Sequence, residues 1–280
     1  MISFNHLGNL GRLGNQMFQY AAIKGIAARR GYEFCIPPRS EFGRRDSAIK
    51  RDLNIYDVFA LDQKNHVALT SNRMLGEKMH QFDENLLERC PDQIDLFGYY
   101  QTELYFKHIE DQIRADFSFP ATLIADCQNN VRSRGSESIA LHVRRGDYVG
   151  NPNHPLLTCA YYEEALECFP SNLPVMVFSD DVEWCAAQPL FVTDRFIIST
   201  GHSLAWDLCS MALCTYHVIA NSSLSWWGAW LAKSRRIVAP RNWFHGGCAE
   251  KDPQDMRFGA WTWLENADLQ EDVMPAPLEC

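Results

Sequence analysis

The chain has 280 residues, 46% of them hydrophobic, enough for two modest domains or one large one with sizeable cores. Its formal net charge is −9, which disfavours a general nucleic-acid or membrane-surface role, because those partners select a basic face. The ten cysteines are scattered singly, with no Cys-x-x-Cys pair and no histidine spacing that completes a zinc site, and no secretory signal or membrane-length apolar run stands in the sequence; buried free thiols are therefore expected rather than disulfides.

Residues 2–7 read as a first strand. The glycine-rich turn Gly8-Asn9-Leu10-Gly11-Arg12-Leu13-Gly14-Asn15-Gln16 follows, and then a helix with Met17, Phe18, Ala21, Ala22 and Ile26 on one face. Arg29-Arg30-Gly31 ends that helix with basic residues and a glycine stop. Residues 33–36 read as the next strand, so the chain opens as an α/β unit. The glycine spacing is wrong for the dinucleotide fingerprint G-x-G-x-x-G. The turn serves equally as an ordinary strand-to-helix connection or as a place where a ligand approaches the backbone at a helix start.

Residues 38–96 carry charged runs, Arg44-Arg45-Asp46 and Lys50-Arg51-Asp52, and read as a solvated, variable excursion that selects substrate. Phe97-Gly98-Tyr99-Tyr100-Gln101 closes another strand-like run. Helical patterns then run through Ile109, Ile113 and Phe117, and over 120–134, whose polar end marks the domain boundary. The second half alternates more cleanly. Strands are expected at 139–143, 174–178, 195–199, 217–220 and 236–239, and helices at 161–168, 204–213 and 224–231. Helices of about ten residues between strands predict a parallel sheet with right-handed crossovers.

The strand at 139–143 runs into His142-Val143-Arg144-Arg145-Gly146-Asp147-Tyr148. Two guanidiniums, an imidazole and a carboxylate at the carboxyl end of a buried strand occupy the place where open α/β sheets hold ligands. Guanidinium forks match phosphate oxygens two at a time, so a diphosphate is the first expectation. The competing reading is a loop of solvated charges. Ser179-Asp180-Asp181 follows another buried strand and either reads a base or ribose or caps a helix. Asn221-Ser222-Ser223-Leu224-Ser225-Trp226-Trp227 places hydroxyls and free N–H groups at a helix start, which is either an anion site or a simple cap with Trp226, Trp227 and Trp230 in the core.

These segments carry a resemblance. His142-x-Arg144-Arg145-x-Asp147 resembles the signature shared by α1,2-, α1,6- and protein O-fucosyltransferases. Gly11-Arg12-Leu13-Gly14-Asn15-Gln16-Met17-Phe18-Gln19-Tyr20 and Asn221-Ser222-Ser223-Leu224-Ser225-Trp226-Trp227-Gly228-Ala229-Trp230 are similar to two motifs of the bacterial α1,2-fucosyltransferases of glycosyltransferase family eleven, and Phe97 to Gln101 and Phe178 to Asp181 also fit. The resemblance implies a GT-B architecture, two Rossmann-like domains facing a cleft. Residues 1–134 would form the mainly acceptor-side domain, and 135–280 the GDP-fucose domain, with a tail returning toward the first.

The resemblance further implies an inverting transfer of L-fucose from GDP-β-L-fucose to the 2-hydroxyl of a terminal β-galactose, with no metal and no cofactor. Arg144, Asp147 and His142 are expected at the chemistry: Arg144 on the diphosphate, Asp147 or His142 as base, or Asp147 as a holder of Arg145. Donor contacts are expected from Arg12, Asn15, Gln16, Arg144, Arg145, Asp180, Asp181, Asn221, Ser222 and Ser223, with Asp180 or Asp181 on guanine. Acceptor contacts are expected from Asn15, Tyr99, Tyr100 and Trp226. The partners are GDP-fucose and a galactose-terminated glycan such as an O-antigen, with no nucleic acid. The expected setting is the bacterial cytoplasm, at most peripheral to the inner membrane. A protein O-fucosyltransferase, or a nucleotide-sugar binder without turnover, is the alternative.

Overall fold

A computed structural model describes residues 1–41, 54–62, 73–77, 81–246, 253–259 and 261–266. The charged runs at 44–46 and 50–52, and the tail from 267 onward, lie outside these residues. β1 (Ile2–Ser3) passes through the glycine-rich turn into α1 (Leu13–Arg30), which ends on Gly31 in the left-handed region at φ 66°. β2 (Phe34–Cys35), α2 (Ile55–Val58), β3 (Met74–Gly76), α3 (Glu84–Arg89) and β4 (Asp95–Phe97) complete the first sheet. α4 (Glu110–Asp116) and α5 (Ala121–Arg132) lead to the second. There β5 (Ile139–Val143), α6 (Cys159–Glu167), β6 (Val175–Ser179), α7 (Val182–Ala187), β7 (Phe196–Ile198), α8 (Leu204–Leu213), β8 (Tyr216–Val218), α9 (Ser223–Leu231), β9 (Ile237–Pro240) and β10 (Trp261–Leu264) follow in order.

Both sheets are parallel, in the orders β2-β1-β4-β3 and β10-β9-β8-β5-β6-β7. The architecture is the α/β GT-B arrangement. β5 is buried along its whole length and central, as a continuous apolar run in a parallel sheet must be. Strand and helix positions in the second half lie within a few residues of those expected. The first strand is shorter than the 2–7 read from the sequence, because the Asn5 N–H turns to the Asp95 carboxylate at 2.9 Å and the chain leaves the sheet there. β3 and β10 were not anticipated.

The first half's core does not stop at the chain's midpoint. Trp226, Trp227 and Trp230 of α9 pack with Phe18, Phe106 and Phe117 in the same apolar cluster as α1. Polar ties follow the same route. The Trp227 indole N–H donates to the Gly14 carbonyl at 3.0 Å, and that of Trp230 to Glu103 at 3.0 Å. Arg114 donates to the terminal carbonyls of α9, Trp230 at 2.9 Å and Leu231 at 3.3 Å, where a cation complements the helix dipole. α9 therefore belongs to both halves, and its N-terminus is held rigidly toward the space between them. The eight cysteines among the described residues are free thiols, six of them buried. No described helix is long and apolar enough to cross a membrane.

Candidate active site

A cleft of about 540 Å³ opens between the carboxyl ends of β5, β6, β8 and β9 and the turn before α1. Parallel pairing of β5 with β6 sets Val143 opposite Ser179, so the loop after one strand meets the loop after the other. Arg144 consequently pairs with Asp180 at 2.9 Å and also with Asp147. The Arg145 backbone N–H donates to Asp180 at 2.9 Å, while its guanidinium pairs with Asp181 at 3.1 Å over the Trp184 ring. A Cβ at Gly146 would push against the Asp180 carboxylate and disturb its pairing with Arg144. Asp181 also caps α7 through the Trp184 N–H. The two carboxylates expected on guanine thus anchor the two arginines. Asp180 reaches the cleft only beside Arg144.

Asp147 lies half-exposed between Arg144 and Arg12, the latter at 3.8 Å. One carboxylate so spans guanidiniums from both halves of the chain. The Arg144 Nε is buried without a partner. His142 is 4% exposed, and burial together with the neighbouring Arg144 pushes its imidazole down to about 3. It is neutral across physiological pH and too weak a base to take a hydroxyl proton efficiently.

Two helix starts converge at the cleft floor. α9 begins after Ser222 with no side-chain cap and no acidic residue in its first turn, and α1 begins after Arg12 with neither. Their free N–H groups favour an anion. They approach so closely that a Cβ on Gly14 would lie 2.6 Å from the Ser223 hydroxyl and 2.7 Å from the Leu224 nitrogen. Ser222, Ser223 and Asn221 line the cleft, and the Asn221 amide donates to the Pro155 and Trp243 carbonyls, tying the surrounding loops together.

Across from them, Asn15 accepts from the Gln101 amide at 2.6 Å, and Tyr99 stands beside Gln101 on the cleft wall. The remaining expected residues face elsewhere. Gln16, one position along α1 from Asn15, is 4% exposed and accepts from the Ile55 N–H at 3.0 Å, serving the start of α2 rather than a donor. Tyr100 and Trp226 are fully buried, in contrast to the acceptor contacts expected of them. The Tyr100 hydroxyl turns to the Phe97 carbonyl at 3.3 Å, and the Trp226 indole donates to that of Met256 at 2.6 Å.

Sequence reading missed Leu204, His154, Trp243 and Phe244, which also line the cleft. Trp243 and Phe244 follow β9 directly, and the rule placing ligands at strand carboxyl ends would have found them. His154 is sandwiched, stacked on Tyr148 at 4.4 Å and tilted against Phe244 at 5.8 Å. Among the described residues, no group of three or more His, Cys, Asp or Glu is placed to hold a metal ion.

The neutral state of the buried histidines has a measurable consequence. His142 and His217, the latter pushed by burial to about 4, stay unprotonated in the fold while the unfolded chain takes up protons below about 6.5. Stability therefore falls as the pH drops from 6.5 toward 4, by roughly 1.4 kcal/mol per pH unit for each histidine. The unfolding free energy, measured by denaturant titration, should decline as the pH falls below 7, with a slope that approaches two protons below about pH 6. A flat profile would show that these imidazoles titrate in the fold.

Two parallel α/β sheets, with a cleft lined by paired arginines over two uncapped helix starts, fit a GT-B architecture, the fold of many glycosyltransferases. The profile of glycosyl transferase family 11 matches residues 2–265, and the chain belongs to that family. Its relatives include the α-1,2-colitosyltransferase of Escherichia coli, 30% identical over 84% of this chain and 90% of that protein. The O-antigen biosynthesis glycosyltransferase WbnK of Escherichia coli is 28% identical over 88% and 96%. The galactoside 2-alpha-L-fucosyltransferase SEC1 of Bos taurus is 27% identical over 79% and 62%. Among solved structures, the fucosyltransferase NodZ from Bradyrhizobium superposes with a TM-score of 0.53 at 12% identity, over 84% of this chain and 93% of that one, a likeness of fold alone.

Proposed function

We propose that the protein transfers L-fucose from GDP-β-L-fucose to the 2-hydroxyl of a terminal β-galactose, with inversion, on a glycan such as an O-antigen. The observation that carries this reading is Asp147 held between Arg12 and Arg144 above the two helix starts. Membership of family 11, with α1,2-transferring relatives, supports the linkage. Residues 135–280 hold the donor, and residues 1–134 most of the acceptor.

One carboxylate spans two guanidiniums, those of Arg12 and Arg144. An incoming diphosphate carries more charge and more oxygens, and takes both arginines together with the N–H groups of Ser223 and Leu224. The carbon–oxygen bond between C1 of fucose and the β-phosphate then breaks as the 2-hydroxyl attacks from the opposite face. Positive charge fixed on the departing side supplies the electrostatic stabilisation, and no donor needs to reorganise. Asp147, released from its arginines, takes the hydroxyl proton. Asp180 and Asp181 keep Arg144 and Arg145 in place.

The test mixes purified protein, GDP-fucose and lactose, lacto-N-biose or N-acetyllactosamine in EDTA. GDP release with a new α1,2-linked fucose is expected, because arginines and helix ends supply the charge. GDP binding without transfer to any of these acceptors would leave a nucleotide-sugar binder instead.

A further inference from the structure

The first-half wall of the cleft contains a donor–acceptor pair that the reaction as drawn does not use. Gln101 and Asn15 come from elements 86 residues apart and meet at 2.6 Å, the Gln101 amide nitrogen donating to the Asn15 carbonyl oxygen. That bond fixes both amides. It leaves the Gln101 carbonyl oxygen, an acceptor, and the Asn15 amide nitrogen, a donor, as the free ends. Both residues are half-buried and line the cleft, as does Tyr99.

The pair is held from behind. Gln19 is fully buried and its amide nitrogen donates to the Leu10 carbonyl at 2.9 Å and to the Gly98 carbonyl at 3.1 Å, tying the two loops together. The Glu77 carboxylate accepts from the Tyr99 and Tyr100 N–H groups at 2.8 and 3.0 Å. Tyr100 takes the left-handed conformation at φ 52°, a strained geometry for a tyrosine, which these bonds maintain. Tyr100 then turns into the core while Tyr99 and Gln101 on either side reach the cleft. Such fixing from behind is what a recognition site needs, since less freedom is lost on binding.

We propose that Gln101 is an acceptor-specificity residue: its carbonyl oxygen and the Asn15 amide nitrogen grip one hydroxyl of the acceptor's terminal galactose, beside the Tyr99 ring. A hydroxyl both donates and accepts, so a single hydroxyl can satisfy both amide ends. The ring offers the apolar face on which a sugar's C–H surface packs. The assignment rests on the galactoside reading above and adds how the acceptor is chosen.

The experiment compares wild type with Gln101→Ala, using GDP-fucose and β-galactosides lacking the 3-, 4- or 6-hydroxyl in turn. Gln101→Ala is expected to raise the acceptor KM on the order of tenfold, the size of one lost neutral hydrogen bond, and to leave the GDP-fucose KM in place. One deoxy acceptor should cost wild type that same factor and cost the variant nothing further. Gln101→Asn, which keeps an amide on a shorter stem, should recover part of the loss. Equal losses in wild type and variant with all three deoxy acceptors, or a donor KM that rises in step, would overturn the assignment alone. Wild-type protein that binds GDP-fucose and transfers to no galactoside would overturn the function reading and this assignment with it.

Discussion

Arg144→Ala should lower kcat by a factor on the order of 10²–10³ or more while the protein remains folded. This guanidinium sits in the central loop after β5, with a buried Nε lacking a partner and the Asp180 carboxylate holding it at 2.9 Å. In the proposed reaction it touches the leaving diphosphate, where negative charge grows as the C1–oxygen bond breaks. Losing one preorganised donor to developing charge carries a penalty of about that size. Arg144→Lys should recover little, because an ammonium cannot present two parallel N–H groups to phosphate oxygens. Single-turnover rates, with circular dichroism to check folding, decide the matter. A kcat within a few-fold of wild type for Arg144→Ala would remove this residue from the chemistry.

Gly14→Ala should be nearly as damaging, through a different cause. The added methyl meets the Ser223 hydroxyl at 2.6 Å, the Leu224 nitrogen at 2.7 Å and the Ser223 carbonyl carbon at 2.7 Å. Two of these atoms are backbone, so no side-chain rotation relieves the contact and one helix start must move away from the other. Overpacking of this kind costs about 1–3 kcal/mol, or several degrees in Tm for a protein of this size. The activity loss should exceed what that destabilisation explains. Displacing a binding group by about 1 Å can cost on the order of 10²-fold, and here one of the two helix starts that face the cleft is displaced. Ser223→Gly should fail to rescue the variant, because the backbone atoms remain in the way. Restored activity in the double variant would mean that the hydroxyl alone made the contact.

Much of this site was legible in the sequence because its parts lie at the ends of regular elements. The apolar run at 139–143 and the helices at 204–213 and 224–231 are long or periodic enough to be read directly, and each delivers a cleft residue at its end. β3 and β10 are three and four residues long, too short for a pattern, and their strand state is set by pairing with β4 and β9. Roles were harder to read than positions. Asp180 lies 35 residues from Arg145, and only the adjacency of β5 and β6 shows that it anchors arginines. Asn15 and Gln16 are neighbours in sequence, yet about 100° apart around α1, so one faces the cleft and the other the core. Trp226 stands in a motif beside Ser222 and Ser223, but faces the shared core instead of the ligand space. Such choices depend on which side of a helix a second domain covers, and that is settled by tertiary packing.

The most direct measurement is the proton NMR spectrum of the product formed from GDP-β-L-fucose and a β-galactoside. A single in-line displacement across the cleft predicts an α-configured fucose on O2 of the galactose. A β-linked product, or fucose attached at another hydroxyl, would contradict the account.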